Sequence, residues 1–211
     1  GDTIFIKQGS YTRSDFVQFD APQQYFRRNT GKCFLNLRGK SLTIMGEGSG
    51  SMLYGEGHDG GRAHVEPYSS RMGICTVGGN VTIDRLRIKE FQAGCMQIID
   101  AQLTVKNSIL DGCDMGGIQL RGSTTAVLVN NYFVALMNAG SLGLWEKVNV
   151  KAINNTFIRS QINYFIHPNS TEPPMLTFIN NIIDVDDTGP IIQVDWPEWL
   201  PKKSEISKST F

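Results

Sequence analysis

The sequence predicts an all-β solenoid, in which short parallel strands wind into stacked coils. An eight-residue phrase occurs five times, at 81–88, 103–110, 127–134, 151–158 and 177–184. The starts of these copies lie 22, 24, 24 and 26 residues apart. No helix-length segment separates them. A period in the twenties indicates one supersecondary unit stacked on itself, with a core that neighbouring copies complete.

The phrase itself contains one strand and a bend. Its third position is aliphatic in every copy and its seventh is apolar in the last four. The third-position residues are Ile83, Val105, Val129, Ile153 and Ile179. Apolar, β-branched residues at alternate positions are typical of strands with one buried face. Asparagine stands between positions three and seven in four copies, so we expect a turn there.

A second short strand recurs once per period, at 75–77, 96–98, 118–120, 142–144, 164–166 and 192–194. Most of these segments alternate apolar with small or polar residues. Leucine-rich repeats are the other solenoid with a period in the twenties. Their leucines at fixed offsets are missing here, and two to three strands per period favour a β-helix.

The fifth position of the phrase predicts an internal ladder of asparagines. Asparagine tolerates a left-handed bend, and its amide carries both an acceptor and two donors. Stacked amides can therefore satisfy one another inside the core. We expect Asn107, Asn131, Asn155 and Asn181 to form this ladder and Arg85 to end it.

Two segments carry a family resemblance. They are 116–122 (GGIQLRG), leading into the copy that contains Val127, Val129, Asn131 and Phe133, and the opening 1–12. This pattern resembles the right-handed parallel β-helix of the pectin-lyase-like superfamily. The resemblance implies a right-handed solenoid, with roughly seven coils on the count of repeats. It does not specify an activity, because the superfamily includes lyases, hydrolases, esterases, epimerases, tailspikes and non-catalytic surface proteins.

Composition limits the class of partner. The 211 residues are 40% hydrophobic, enough for a single domain over 1–211. Lysine plus arginine and aspartate plus glutamate both number 20, so no overall charge attracts nucleic acid. No uninterrupted apolar segment is long enough to span a membrane. We expect an extracellular or cell-surface protein.

The chain is predicted to carry two loop insertions, at 13–40 and 47–71, and a C-terminal tail or further coil at 197–211. Both ends resemble interrupted coils, so these residues are expected to be a fragment of a longer protein. Open coil ends expose unpaired backbone, which makes protein neighbours at the ends of the solenoid possible partners.

Cys33, Cys75, Cys95 and Cys113 show no metal-binding spacing. We interpret them as free, buried cysteines, with disulfides as the alternative in a secreted protein. The residues His58, Asp59, His64 and Glu66 lie among glycines and are interpreted as a loop. No metal site and no cofactor is predicted.

The outward side of the second strand forms two predicted rows. One contains Thr76, Gln97, Gln119, Gly143, Ile166 and Gln193. The other contains Gly78, Ile99, Arg121, Trp145, Pro168 and Asp195. Glutamine amides, a forked guanidinium and a flat indole suit an extended sugar chain. The candidate binding residues are Gln97, Gln119, Arg121, Trp145, Gln193 and Asp195. The simpler interpretation is that polar residues coat an exposed strand.

The resemblance would allow a polysaccharide lyase or a glycoside hydrolase. Arg121 is the one well-placed base, with Asp100, Glu146 and Asp195 as nearby acids. One arginine cannot both abstract a proton and neutralise a sugar carboxylate. Arg87-Ile-Lys89 matches a polygalacturonase tripeptide, but the paired aspartates such hydrolases need are missing. We therefore predict carbohydrate recognition with no assigned catalytic residue, and a structural or adhesion module as the alternative.

Overall fold

A computed structural model describes residues 1–12, 19–20, 32–55, 72–91, 94–113, 116–134, 140–165, 172–184 and 192–195. Within these ranges the chain forms 22 β-strands and no α-helix, so none of the described residues belongs to a helix able to cross a membrane. The strands build three sheets, which we name A, B and C. All strand pairs are parallel except β3–β4, which is antiparallel.

Sheet A contains seven strands of five residues each. In spatial order they are β1 (Asp2–Ile6), β5 (Leu42–Gly46), β8 (Asn80–Asp84), β11 (Gln102–Lys106), β14 (Thr125–Val129), β17 (Asn149–Ile153) and β20 (Met175–Ile179).

Sheet B also contains seven strands, most of them three residues long. They are β2 (Gly9–Tyr11), β6 (Ser51–Tyr54), β9 (Arg87–Lys89), β12 (Ile109–Asp111), β15 (Tyr132–Val134), β18 (Thr156–Ile158) and β21 (Ile182–Asp184).

Sheet C contains eight strands. They are β3 (Phe19–Asp20), β4 (Lys32–Asn36), β7 (Met72–Val77), β10 (Gly94–Ile99), β13 (Ile118–Arg121), β16 (Leu142–Trp145), β19 (Ile162–Phe165) and β22 (Ile192–Asp195).

Each turn of the solenoid passes through sheet C, then A, then B. Four regular turns follow one another from β7 to β18, which is fewer than the roughly seven coils predicted. Strands on either side extend the same sheets, but some of their connections lie outside the described residues. Strands β4 and β6 lie within the predicted insertions at 13–40 and 47–71.

The core lies between the three sheets. The strand pairing differs from the predicted register of the repeat by one residue from β14 onward. Val81 pairs with Leu103, which pairs with Ala126 and not with Val127. The true spacings are therefore 22, 23, 24 and 26 residues. A slip of one residue exchanges the two faces of a strand. The inward column consequently continues from Val105 into Leu128, Ala152 and Phe178.

The corner between sheets A and B takes two residues in every turn from β8 to β21. The first has a positive φ, between 52° and 55°, in the turns from β8 to β21; these residues are Arg85, Asn107, Asn130, Asn154 and Asn180. The second lies on the inner side of the corner; it is buried at Leu86, Ser108, Asn131 and Asn155 and half-buried at Asn181. The asparagine ladder is therefore confirmed for three of its four predicted members.

Inside the ladder, each amide bonds to the next rung. Asn131 Nδ2 donates to Asn155 Oδ1 at 3.0 Å, and Asn155 Nδ2 donates to Asn181 Oδ1 at 3.0 Å. The Ser108 backbone N–H donates to Asn131 Oδ1 and ends the run. The prediction that Asn107 belongs to the ladder and that Arg85 ends it was wrong. Both residues occupy the first, left-handed position of their corner, and the ladder uses the second position. Asn107 Nδ2 donates not to another asparagine of the ladder but to Asp84 Oδ1, at 3.0 Å.

All four cysteines are paired, which overturns the prediction of free thiols. Cys33 is bonded to Cys75 and joins the neighbouring strands β4 and β7. Cys95 of β10 is bonded to Cys113, which follows β12. Four cysteines allow three pairings, and their spacing did not distinguish among them.

Candidate functional site

The candidate site lies on the outer face of sheet C. Gln97 and Gln119 are direct partners on β10 and β13, and the column continues through Gly143, Asn163 and Gln193. The predicted row is thus correct at Gln97, Gln119, Gly143 and Gln193. The side chains of Gln193 and Asp195 lie outside what the structure describes, so only their strand positions are known.

Four predicted row members were wrong. Thr76 pairs with Ile98 and points into the core, so Cys75 takes the place expected for Thr76. Val77 replaces Gly78 in the second column, since Val77 pairs with Ile99. Asn163 and Phe165 replace Ile166 and Pro168, which lie outside the described residues. The error is a one-residue slip in aligning β7 with β10, together with an uncertain alignment of β19.

The two glutamines are not exposed as predicted. Gln97 retains 1% of its accessible surface and Gln119 retains 4%, although both are at outward positions of their strands. Ile99, two residues beyond Gln97, is similarly enclosed at 1%. The outer face of sheet C is therefore covered over these two rungs.

Arg121 and Trp145 form the accessible part of the site. Both are half-buried, and the Arg121 guanidinium carbon lies 4.3 Å from the centre of a Trp145 ring. This is a cation–π stack between adjacent turns. The indole was predicted to offer a free flat face, but the structure places Arg121 against one of its faces. Stacking holds a guanidinium plane in one orientation, which reduces the entropy lost when its N–H groups bind a ligand.

The acids near Arg121 have structural partners. Asp100 Oδ1 accepts a hydrogen bond from the Ser123 backbone N–H at 2.9 Å, and Glu146 Oε2 accepts one from the Gly122 N–H at 2.8 Å. Gly122 has a φ of +64°, and a Cβ at this position would collide with the Asp100 carboxylate. Both carboxylates thus hold the turn after Arg121, which leaves them poorly suited to acid–base catalysis.

A second polar cluster lies on the outer face of sheet B. Arg87 pairs with Asp111 of the next turn, and Lys89 Nζ lies 2.6 Å from Glu90 Oε1. The hydrogen bond to Glu90 raises the pKa of Lys89. Lys89 also lies 5.8 Å from the Tyr54 ring centre. Both basic residues of the Arg87-Ile-Lys89 tripeptide are therefore engaged in ion pairs.

Within the described ranges, no three His, Cys, Asp or Glu side chains are grouped so that they could hold a metal ion. The segment with His58, Asp59, His64 and Glu66 lies outside those ranges.

A family model described as "Right handed beta helix region" matches residues 40–194, more than half of the chain. Neither the curated proteins nor the solved structures contain a match. The family match agrees with the parallel three-sheet solenoid and does not indicate an activity.

Proposed function

Because this chain belongs to the right-handed β-helix family, we propose that it acts through the long outer face of its solenoid and that it recognises a carbohydrate chain there. The observation that carries this proposal is the Arg121–Trp145 stack on sheet C. A solenoid presents an extended face, and the half-buried part of this face combines a guanidinium with an aromatic ring.

The chemistry of the stack suits sugar hydroxyls. The guanidinium of Arg121 is planar and carries N–H donors, and sugar hydroxyls can accept hydrogen bonds from such groups. The indole edge of Trp145 adds apolar surface for the C–H faces of a sugar ring. The strand spacing of about 4.8 Å brings equivalent positions of successive turns close enough to contact successive sugar units.

We propose recognition without catalysis. Asp100 and Glu146, the acids with described side chains near Arg121, accept backbone hydrogen bonds of the turn. A lyase or a hydrolase would need a base or a pair of carboxylates directed at the substrate.

We also propose that the protein functions outside the cell or at its surface. Two disulfides cross-link the part of the solenoid before β13. Disulfides persist in oxidising compartments and are rare in the cytosol of most organisms.

A structural or adhesion module is the second candidate function. Large apolar side chains are exposed on the last described turn: Ile182 at 65%, Met175 at 60% and Ile179 at 39%. Exposed apolar groups close to one another are typical of surfaces that meet another protein.

A glycan array followed by calorimetry tests the proposal. We expect the wild type to bind at least one oligosaccharide, and Arg121→Ala and Trp145→Ala to weaken binding about tenfold or more. Arg121→Lys should weaken it as well, because an ammonium does not stack as a plane.

Lys151→Ala is the matched control, since Lys151 is exposed on sheet A. Absence of binding by the wild type would refute carbohydrate recognition and favour the structural module. An equal loss with Lys151→Ala would show that the outer face of sheet C is not the site.

A further inference from the structure

The residue that directly follows each strand of sheet C, from β7 to β16, lies in the left-handed region of φ. These residues are Gly78, Asp100, Gly122 and Glu146, with φ values of 73°, 50°, 64° and 65°. Glycine adopts this conformation freely, whereas a residue with a Cβ is strained in it. Asp100 and Glu146 therefore occupy positions that glycine fills at lower conformational cost in the neighbouring turns.

Asp100 holds the main chain around Arg121 at two points. Its backbone N–H donates to the Arg121 carbonyl oxygen at 3.2 Å, and its Oδ1 accepts from the Ser123 N–H at 2.9 Å. A Cβ on Gly122 would collide with the same carboxylate, so Asp100 can keep this bond because residue 122 is glycine. Asp100 thus fixes the turn after Arg121 from the preceding coil.

Glu146 fixes the same turn from the following coil. Its Oε2 accepts from the Gly122 N–H at 2.8 Å. Glu146 directly follows Trp145 in the sequence, and Gly122 directly follows Arg121. This bond therefore joins the two backbone segments that carry the Arg121–Trp145 stack. A hydrogen bond to a carboxylate is stronger than one between neutral groups.

We propose that Asp100 and Glu146 are positioning residues for Arg121, which keep its guanidinium stacked on Trp145 so that its N–H groups meet a sugar in one orientation. This inference rests on the proposed carbohydrate function. The direction of the Arg121 side chain depends on the main chain at 121–123, which three hydrogen bonds from the adjacent coils hold. A side chain that is ordered before binding loses less conformational entropy when it contacts the ligand.

The left-handed backbone makes this role separable from a purely structural one. Replacing Asp100 or Glu146 by glycine removes a side-chain hydrogen bond and also relieves the strain, so the two effects on stability oppose each other. We expect the melting temperature to change by less than about 3 °C. The ordering of Arg121 should be lost all the same, because it depends on the carboxylates.

The test measures the stack and the binding separately, on the whole chain. The fluorescence of Trp145 is obtained by subtracting the spectrum of the matching Trp145→Phe variant, and Arg121→Ala gives the unstacked reference. Calorimetry with cellohexaose, xylohexaose and hexagalacturonate gives the affinities. We expect Asp100→Gly and Glu146→Gly to shift the emission toward the reference, and to weaken binding of the probe that the wild type prefers about fivefold.

The controls separate the accepting oxygen from the charge and from the backbone. Asp100→Asn and Glu146→Gln keep an accepting oxygen, so their emission should match the wild type and their affinity should stay within about twofold of it. Arg159→Gly is the matched control, because Arg159 is exposed, has a φ of 50° and directly follows β18 of sheet B. It should leave emission and binding unchanged.

Unchanged emission and binding in both glycine variants would overturn the positioning role and leave carbohydrate recognition intact. A large fall in their melting temperature would overturn it as well, because the carboxylates would then be structural. Equal losses of binding in the glycine and amide variants would do the same, because the charges would then act on the sugar themselves. Absence of wild-type binding to every probe would overturn the proposed function, and the role in the stack would then be decided by the emission alone.

Discussion

From β8 to β21, two consecutive residues form each corner between sheets A and B, and only the second can take part in the inner ladder. Asn131 shows the difference from Asn107 most clearly. Its Oδ1 accepts from the Ser108 N–H, and its Nδ2 donates to Val105 O at 2.8 Å and to Asn155 Oδ1 at 3.0 Å. Asn107 bonds instead to Asp84 of the preceding turn and to Asn130 of the following turn.

Asn131→Ala should lower the free energy of unfolding by about 3 kcal/mol, because it leaves several buried groups unbonded at about 1–3 kcal/mol each. Chemical denaturation measures the change. The control is Asn107→Gly, which keeps the left-handed backbone and should cost less than about 1 kcal/mol. Equal losses for both variants would contradict the assignment of the ladder to the second corner position.

Three of the four predicted ladder residues were correct, and the break at Ser108 was not predicted. From Asn130 onward each corner has two asparagines in a row, so either one fitted the repeated phrase. Only the strand pairing separates the residue that bends the chain from the residue that points inward. Asn107 has a serine after it, and this serine takes the inner position.

At the scale of the strand, β14 shows why the repeat was recognised while the outward residue of each later copy was taken for the inward one. Leu128 and Val129 are both aliphatic, and only Leu128 is fully buried. The same ambiguity follows in β17 and β20, where Ile153 and Ile179 are partly exposed. Their outward positions create an apolar stripe that obscured the alternation on which the prediction depended.

Leu128→Ala should cost about 2–5 kcal/mol, because it leaves a cavity in the core. Val129→Ala should stay within about 1 kcal/mol, since its side chain faces outward. Denaturant titration of the two variants checks the register. A larger loss of stability for Val129→Ala than for Leu128→Ala would show that Val129, and not Leu128, faces the core.

At the scale of the whole molecule, different interactions stabilise the two halves of the stack. Both disulfides lie before β13. The asparagine ladder and an aromatic column lie after it, with Phe133 and Phe157 stacked at 4.6 Å and Phe178 edge-on to Phe157 at 5.8 Å. Stability in a solenoid is a sum over neighbouring turns, so each device acts mainly on its own half.

Replacing Cys95 and Cys113 by serine should lower stability by about 3 kcal/mol, and replacing Cys33 and Cys75 by about 4 kcal/mol, according to the sizes of the loops they close. Hydrogen exchange should show the added opening in β7 to β12, with β14 to β18 nearly unchanged. A uniform increase in amide exchange along the chain would contradict the idea that the two halves are stabilised independently.

The candidate site was predictable only as a row of positions. Gln97, Gln119, Arg121 and Trp145 do share the outer face of sheet C. Burial of the glutamines was not predictable, because alternation reports which face a side chain is on and not what covers that face. The stacking of Arg121 on Trp145 depends on contact between turns, for which the spacing of the repeat carried no evidence.

The three corners of a turn differ in how much their lengths can vary between related proteins. The corner from A to B is two residues long in every turn from β8 to β21, while those from B to C and from C to A vary in length. Insertions and deletions in related chains should therefore collect along the two margins of sheet C. New binding preferences could evolve there while the inner amides and the hydrophobic interior stay as they are.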